Sequence, residues 1–356
     1  MFGGVYSGKR VLITGHTGFK GSWLALWLKE LGATVTGLAL EPEAAPSHWE
    51  ALGLGIDSHI VDIRDYPAVQ RVFDATQPEI VFHLAAQSLV RRSYRNPLDT
   101  WSANVMGTAC LLEACRNTPA VRAVVVVTTD KVYDNQEWPW GYRENDRLGG
   151  HDPYSASKAA SELVADSYRK SFFSAASAPL LATARAGNVI GGGDWSEDRL
   201  IPDLVRAVNR SVNLEIRSPN ATRPWQHVLD CLSGYLQLGQ GLLQGNPDLA
   251  TAWNFGPAAS DNRTVAQILA MLTEHWPEVR WSLAANADLH EASQLYLDSA
   301  KAKQVLRWRP VWGLEGAVAA TAAWYRAYAV GQIESRQQLA DYFRAAQGAG
   351  VEWAKT

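Results

Sequence analysis

The segment "KRVLITGHTGFKGSWLALWLKELG", Lys9 to Gly32, constrains the fold more than any other stretch of the chain. Its apolar run from Val11 to Ile13 reads as a buried strand. "SWLALWLKEL" reads as a helix with Leu24, Leu28 and Leu31 on one stripe and Gly32 as its stop. Between strand and helix stand Gly15, Gly18 and Gly21. Glycine lets the chain turn tightly and lets backbone N–H groups approach a ligand, and a helix N-terminus adds partial positive charge. Such a turn suits a pyrophosphate, and at the start of a βαβ unit this spacing points to a dinucleotide.

The alternation continues. "TVTGLAL", "HIVDIRD", "EIVFHLAA", the valines Val124 to Val127 and "LLATARAGNVIG" read as strands, with helices from about Leu98 to Cys115 and from Tyr154 to about Phe172. Strands that are apolar on both faces and alternate with helices predict an α/β fold, a doubly wound parallel sheet with right-handed crossovers. Beyond Asn188 the rhythm breaks. "GGGDWSEDRLIPDL" and "RSPNATRPWQHV" are irregular and suit a lobe that wraps a ligand. "AWNFGP" reads as a strand returning to the sheet, and "TVAQILAMLTEHW" and "LEGAVAATAAWYRAYA" read as helices. The expected division is a dinucleotide-binding domain, residues 1–188 with about 227–257, and a smaller carboxyl-terminal substrate-binding domain, about 189–226 with 258–356.

Composition narrows the partner. A net charge of -3 with Lys and Arg scattered offers no basic field for nucleic acid or an anionic membrane. The three cysteines, Cys110, Cys115 and Cys231, are too few and wrongly spaced for a disulfide framework or a zinc site. No metal is expected. "RVLITG" is too short for a signal peptide core or a membrane span, so the expected setting is the cytoplasm.

Two further motifs carry chemistry. "VVVVTTDK" delivers Asp130 and Lys131, an acid and a base side by side, at the carboxyl end of a buried strand, where parallel sheets bind ligands. "YSASK" sets Tyr154 and Lys158 four residues apart on one helix face. The nearby cation, together with the positive nicotinamide ring of a bound cofactor, is expected to favour the phenolate and make Tyr154 a base near neutral pH. For the dinucleotide, Glu41 is a candidate for the adenosine ribose, and Asp62 and Ile63 for the border of the adenine. The absence of Arg from "GLALEPEAAPS" favours NAD over NADP.

With "VLITGHTGFKGSWL", "VFHLAAQS", "DPYSASK", "RAGNVIGGGDW" and "RPWQHV", the chain resembles the extended short-chain dehydrogenase/reductase superfamily over nearly its whole length. The resemblance implies a Rossmann-type sheet, bound NAD and a nucleoside diphosphate sugar as substrate. It assigns Thr129, Tyr154 and Lys158 the roles of hydrogen-bond donor, base and cofactor-ribose anchor. The cofactor cradle it implies is Gly15, Thr17, Gly18, Phe19 and Gly21, with Asp62, Ile63, Leu84, Ala85, Ala86, Tyr154 and Lys158. Epimerases of this superfamily typically carry small residues after the Thr. Its 4,6-dehydratases carry an acid followed by a base, usually Asp-Glu, and Asp130-Lys131 looks like the subgroup acting on CDP-glucose.

The chemistry so implied is oxidation at sugar carbon 4, loss of water across carbons 5 and 6, and reduction at carbon 6, with NAD recycled internally. Lys131 is then the base at carbon 5 and Asp130 the acid at the carbon 6 hydroxyl. Arg199 and Arg223 are candidates for the substrate pyrophosphate. Asn188, Gln87 and His227 are further substrate-binding candidates, although a satisfied core His is the plainer role for His227. Relatives commonly pair through the helices around "ANVMGTACLLEACR" and Tyr154, which implies a homodimer or homotetramer. A nucleotide-sugar 4-epimerase and an NAD-sensing binding protein stand as rivals. The first has no use for Asp130 and Lys131, and the second none for Tyr154 and Lys158.

Overall fold

The computed structural model describes residues 1–43, 45–258, 261–284 and 295–355. The remainder of the 258–356 range assigned above lies outside them. Burial on both faces places the valine strand well inside a sheet of seven parallel strands. In chain order these are β1 (Arg10–Thr14), β2 (Thr34–Ala39), β3 (Asp57–Ile60), β4 (Ile80–His83), β5 (Ala123–Val127), β6 (Leu180–Ala186) and the strand Ala252–Phe255. Across the sheet the order is Ala252–Phe255, β6, β5, β4, β1, β2, β3. The direction of winding reverses between β1 and β4, which opens a crevice above their carboxyl ends.

Successive side chains leave a strand on opposite faces. Val11, Ile13 and Val125 therefore pack with the helices Phe19–Glu30 and Val228–Leu243, while Leu12, Val124 and Val126 pack with Tyr66–Thr76, Gly107–Arg116 and Pro153–Ser171. The first face carries an extra layer, Leu314–Ala329 and Ser335–Gly348. This layer corrects the apolar stripe expected on the first helix. Trp23 to Leu28 are all buried, because the helix is pressed between sheet and outer layer, with the Trp27 ring 5.6 Å from Tyr342.

Two other boundaries move. As an edge strand, β3 pairs only with β2 and stops at Ile60, so Asp62 and Ile63 stand in the turn after it. The helix expected from about Leu98 to Cys115 is α-helical over Pro97–Trp101 and Gly107–Arg116, with one π-helical stretch, Ser102–Met106, between.

Beyond Asn188 the lobe is built from short ladders: Val189–Ile190 with Gln226–His227, Leu214–Ile216 with Trp281–Leu283, and Thr222–Pro224 with Asn262–Thr264. The expected helices appear as Val265–His275, started by a capping box of Thr264 and Gln267, and Leu314–Ala329. The helices Val228–Leu243 and Ser335–Gly348 were not anticipated. The first is buried nearly all round.

Candidate active site

A cleft of about 1280 Å³ opens above β1, β4 and β5 and runs into the lobe. Sites for one small ligand typically measure about 300–1,000 Å³, so this cleft has room for a second. At one end lies the glycine turn. Gly15 has φ +75°, in the left-handed region, and a Cβ there would lie 2.8 Å from the Ala85 nitrogen. At Gly21 a Cβ would lie 2.0 Å from the Gly15 carbonyl oxygen, so only glycine lets the helix start so close to the strand. The Thr14 hydroxyl ties this turn to the end of β4 by accepting from the Leu84 and Ala85 N–H groups, both at 3.1 Å. Thr17 donates to the Leu40 carbonyl at 2.9 Å.

Gly15, Thr17, Gly18, Phe19, Gly21, Asp62, Ile63, Leu84, Ala85 and Ala86 all line the cleft, as does Glu41. Asp62 is held below the usual carboxylate range chiefly by hydrogen bonds from Arg64, whose Nε and Nη2 reach it at 2.9 and 2.5 Å. The end of β2 lacks its own arginine, yet the fold brings one: Arg92, on the helix Val90–Arg95, donates to both Glu43 oxygens at 2.7 Å and to Glu197 at 3.2 Å. Linear sequence could not reveal a cation arriving from 49 residues away. A cradle with no room for side chains and a helix N-terminus at its end fits a dinucleotide pyrophosphate.

The other end holds the second motif pair. Thr129 caps a single 3-10 turn, Asp130–Val132, by accepting from the Lys131 N–H at 3.3 Å, and its hydroxyl donates to Asp130 Oδ1 at 2.9 Å. Asp130 is buried and Lys131 half-buried. Facing them, the helix Pro153–Ser171 begins on Asp152, which accepts from the Ser155 N–H at 3.0 Å, with Pro153 at its first position. That start places Tyr154 and Lys158 on the cleft wall, and Lys158 Nζ donates to the Val127 carbonyl at 2.9 Å.

The electrostatics show how much of the expected activation of Tyr154 the neighbouring cation can supply by itself. Burial pushes the Tyr154 phenol up to about 12, and a hydrogen bond with Thr129 and the charge of Arg199 offset it only in part. Burial also pulls Lys158 down to about 8, against the attraction of Glu162 and with the help of Lys20. Desolvation therefore outweighs the neighbouring cation, and without cofactor Tyr154 is a neutral phenol.

Among the substrate candidates, Asn188, Arg199 and Arg223 line the cleft in the lobe. Arg199 is paired with the buried Asp194 at 3.2 Å and reaches the Ser88 hydroxyl at 3.4 Å. Arg223 donates to the Thr222 carbonyl at 2.8 Å. Gln87 lines the cleft, but its side chain is occupied within the loop, bonding Thr100 at 2.8 Å and the Leu89 backbone at 2.6 and 3.1 Å. His227 is corrected. It is fully buried away from the cleft against Trp312, and its Nδ1 accepts from the Leu229 N–H at the start of a helix.

Two residues escaped sequence reasoning. Asn104, in the π-helical stretch, accepts from the Gln87 N–H at 2.9 Å and donates to Ser157 at 2.8 Å, joining the β4 loop to the helix of Tyr154. Gly187 lies against Asp130, whose Oδ2 would be 2.9 Å from any Cβ there. A glycine directly after the apolar strand "LLATARA" was the available signal.

Among the described residues no group of three or more His, Cys, Asp or Glu side chains is placed to hold a metal, and no helix is long and apolar enough to cross a membrane. The chain is 47% identical over 350 residues to the CDP-glucose 4,6-dehydratase of Salmonella typhimurium, covering 96% of this chain and 98% of that one. It is 29% identical to a dTDP-glucose 4,6-dehydratase of Xanthomonas campestris, covering 88% and 92%. Solved structures with the same fold include DesIV, a dTDP-glucose 4,6-dehydratase of Streptomyces venezuelae with NAD bound (25% identity, TM-score 0.75, 89% and 97% covered). A UDP-glucose 4-epimerase of Thermus thermophilus in complex with NAD is equally similar (25%, TM-score 0.76, 89% and 99%). The family model described as GDP-mannose 4,6 dehydratase matches residues 12–321, and with a seven-stranded parallel sheet above which the glycine turn, Tyr154, Lys158 and the Asp130-Lys131 pair share one cleft, the chain belongs to that family of extended short-chain dehydrogenase/reductases.

Proposed function

We infer that this chain is a CDP-glucose 4,6-dehydratase, an NAD-dependent hydro-lyase that converts CDP-D-glucose to CDP-4-keto-6-deoxy-D-glucose. The observation that carries this reading is Asp130 and Lys131 at the carboxyl end of β5, in one cleft with Tyr154. A 4-epimerase has no use for an acid and a base at that place. The 47% identical Salmonella typhimurium protein supports the choice of CDP-glucose.

Bound in the cleft, NAD would supply the hydride chemistry, as acceptor from carbon 4 and donor to carbon 6. The residues that would hold it are the glycine turn for the pyrophosphate, Asp62 and Ile63 at the adenine and Lys158 at the ribose. The positive ring of a bound cofactor would oppose the burial that keeps Tyr154 protonated, and Tyr154 would then serve as the base for the 4-hydroxyl. The resulting ketone acidifies the carbon 5 hydrogen. Lys131 removes it, and Asp130 delivers a proton to the departing carbon 6 hydroxyl. Arg199 and Arg223 meet the substrate pyrophosphate from the lobe, beside Asn188. In this reading residues 1–188 with about 227–257 serve the cofactor, and the rest serves the sugar nucleotide.

The helices Pro97–Trp101 and Pro153–Ser171 leave Leu98, Trp101 and Leu163 exposed at 83%, 40% and 61%. Covering them supports a homodimer, or a homotetramer built from it. The reading carries with it a cytoplasmic location and a role in dideoxysugar biosynthesis for lipopolysaccharide O-antigen. Incubation with CDP-, UDP-, dTDP- and GDP-hexoses, followed by the alkaline absorbance of a 4-keto-6-deoxy sugar, tests it. Signal with CDP-glucose above the others is expected, and C4 epimerisation without dehydration would overturn it.

A further inference from the structure

Beneath the Asp130–Lys131 turn lies a buried network that the steps above do not use. Its centre is Glu162, four residues beyond Lys158 and eight beyond Tyr154, and so on their face of the helix. Only 4% of its side chain is exposed. Both carboxylate oxygens are engaged: Oε1 accepts from Thr128 at 2.5 Å and from Arg185 Nε at 2.9 Å, and Oε2 accepts from Thr183 at 2.7 Å and from Arg185 Nη2 at 3.0 Å. Thr128 immediately precedes Thr129, Asp130 and Lys131. From Arg185 the network reaches the chain that leaves this turn, through the Tyr133 hydroxyl at 2.8 Å and the Glu144 carbonyl at 3.0 Å. Tyr133 in turn donates to Asn254 at 2.7 Å.

One carboxylate thus grips the strand end carrying the elimination pair, the helix carrying Tyr154 and Lys158, and, through Arg185, the loop beyond. We propose that Glu162 is a positioning residue that fixes the Asp130–Lys131 turn against the Tyr154–Lys158 helix and whose negative charge acts on the Lys158 ammonium. A buried Arg–Glu pair is weak evidence for stability, since well-packed apolar residues often replace such pairs at no loss. Burial would raise the Glu162 carboxyl, but the charge of Arg185 and the hydrogen bonds from Arg185, Thr128 and Thr183 outweigh it and keep it ionised. Lys158 feels Glu162 from its own helix, Lys20 from the first helix and His83 from β4. Of these three only Glu162 favours the charged ammonium. Glu162 also faces Arg169 on its own helix.

The proposal rests on the dehydratase reading for its catalytic consequence, so its primary test needs no sugar. In the full-length protein the pH dependence of Lys158 acetylation by acetic anhydride, read by peptide mass spectrometry, reports its proton affinity. For Glu162→Gln the midpoint is expected to fall by about one pH unit or more, the effect of removing an opposite charge at helix-neighbour distance. A merely structural Glu162 predicts no movement, and an unmoved midpoint overturns the charge role. Should Glu162→Gln fail to fold with Arg185 unpaired, the double variant Glu162→Gln, Arg185→Gln is set against Arg185→Gln alone, which keeps the carboxylate: a lower Lys158 midpoint in the double variant is expected, and equal midpoints overturn the charge role. Thr128→Val keeps the ion pair and cuts only the tie to the turn. With CDP-glucose it is expected to leave the Lys158 midpoint in place while slowing water loss about tenfold relative to carbon 4 oxidation. An unchanged ratio of those two steps overturns the positioning role. Absence of wild-type turnover on CDP-glucose would instead refute the substrate assignment and leave the labelling result standing.

Discussion

Lys131→Ala separates the two halves of the proposed reaction. The perturbation is local by construction. The turn is held by the Lys131 backbone N–H on Thr129, which alanine retains, and among the described residues the Lys131 amino group has no hydrogen-bond or ion-pair partner. A half-buried side chain without such ties costs stability only within about 0.5 kcal/mol when truncated. Its effect on catalysis is expected to be far larger. Losing a positioned general base costs on the order of a hundredfold to ten-thousandfold in rate, or about 3 to 5 kcal/mol of barrier. Only the elimination pays it, since Tyr154 and Lys158 serve carbon 4 from another helix. Mixed with NAD⁺ and CDP-glucose, the variant should build up the near-ultraviolet absorbance of reduced nicotinamide at the wild-type rate and then stall. In deuterated water the carbon 5 hydrogen should stay in place. Rapid exchange at carbon 5 by Lys131→Ala would show that another group is the base, and slow oxidation would show that Lys131 shapes the whole cleft.

Other outcomes follow from the same geometry. Tyr154→Phe should abolish carbon 4 oxidation while leaving the melting temperature and NAD⁺ affinity close to wild type, read by thermal denaturation and calorimetry. Lys158→Met should stabilise the cofactor-free protein. Burial lowers the folded Lys158 value to about 8 from 10.5, so its cost is fully present below pH 8 and is relieved as pH rises towards 10.5. A gain on the order of 1–2 kcal/mol at pH 7, net of the lost bond to Val127 and shrinking by pH 10, is expected from denaturant melts, and a gain independent of pH would contradict the desolvation argument. NAD should bind more tightly than NADP, because Glu43 and Glu197 already claim Arg92; equal calorimetric affinities would refute this. Leu98→Glu with Leu163→Glu should leave a monomer by light scattering, and an unchanged mass would place the subunit interface elsewhere.

What could be read in the sequence was what local patterning dictates. The glycine turn, the valine strand and the four-residue step from Tyr154 to Lys158 each declare themselves within a few residues, and all converge on one cleft. What could not be read depends on distant partners. Arg185 sits within an apolar strand, and such a charge demands a counter-ion, but nothing local names Glu162. The π-helical stretch at Asn104 changes one hydrogen-bond step in a helix whose composition is ordinary. His227 shows the reverse error. "RPWQHV" belongs to the ligand lobe, but the chain turns inward at Gln226 to pair with Asn188 and Val189, and the imidazole becomes a helix cap. The all-round burial of the first helix likewise belongs to the outer layer more than 300 residues downstream, where Arg336 reaches Glu30.

The Thr129 hydroxyl sits between Asp130 and Tyr154 with a single hydrogen to give. Pointed at the carboxylate, it leaves its lone pairs to Tyr154 and can only accept from a neutral phenol. Pointed at a phenolate, it abandons Asp130, which is tolerable once that carboxyl has gained a proton of its own. The two settings differ by rotation about one bond, a motion of picoseconds to nanoseconds for an unhindered side chain. The ketone made by oxidation sets the order of the two steps, and where one hydrogen atom points ties the proton state of the residue serving the first to that of the residue serving the second.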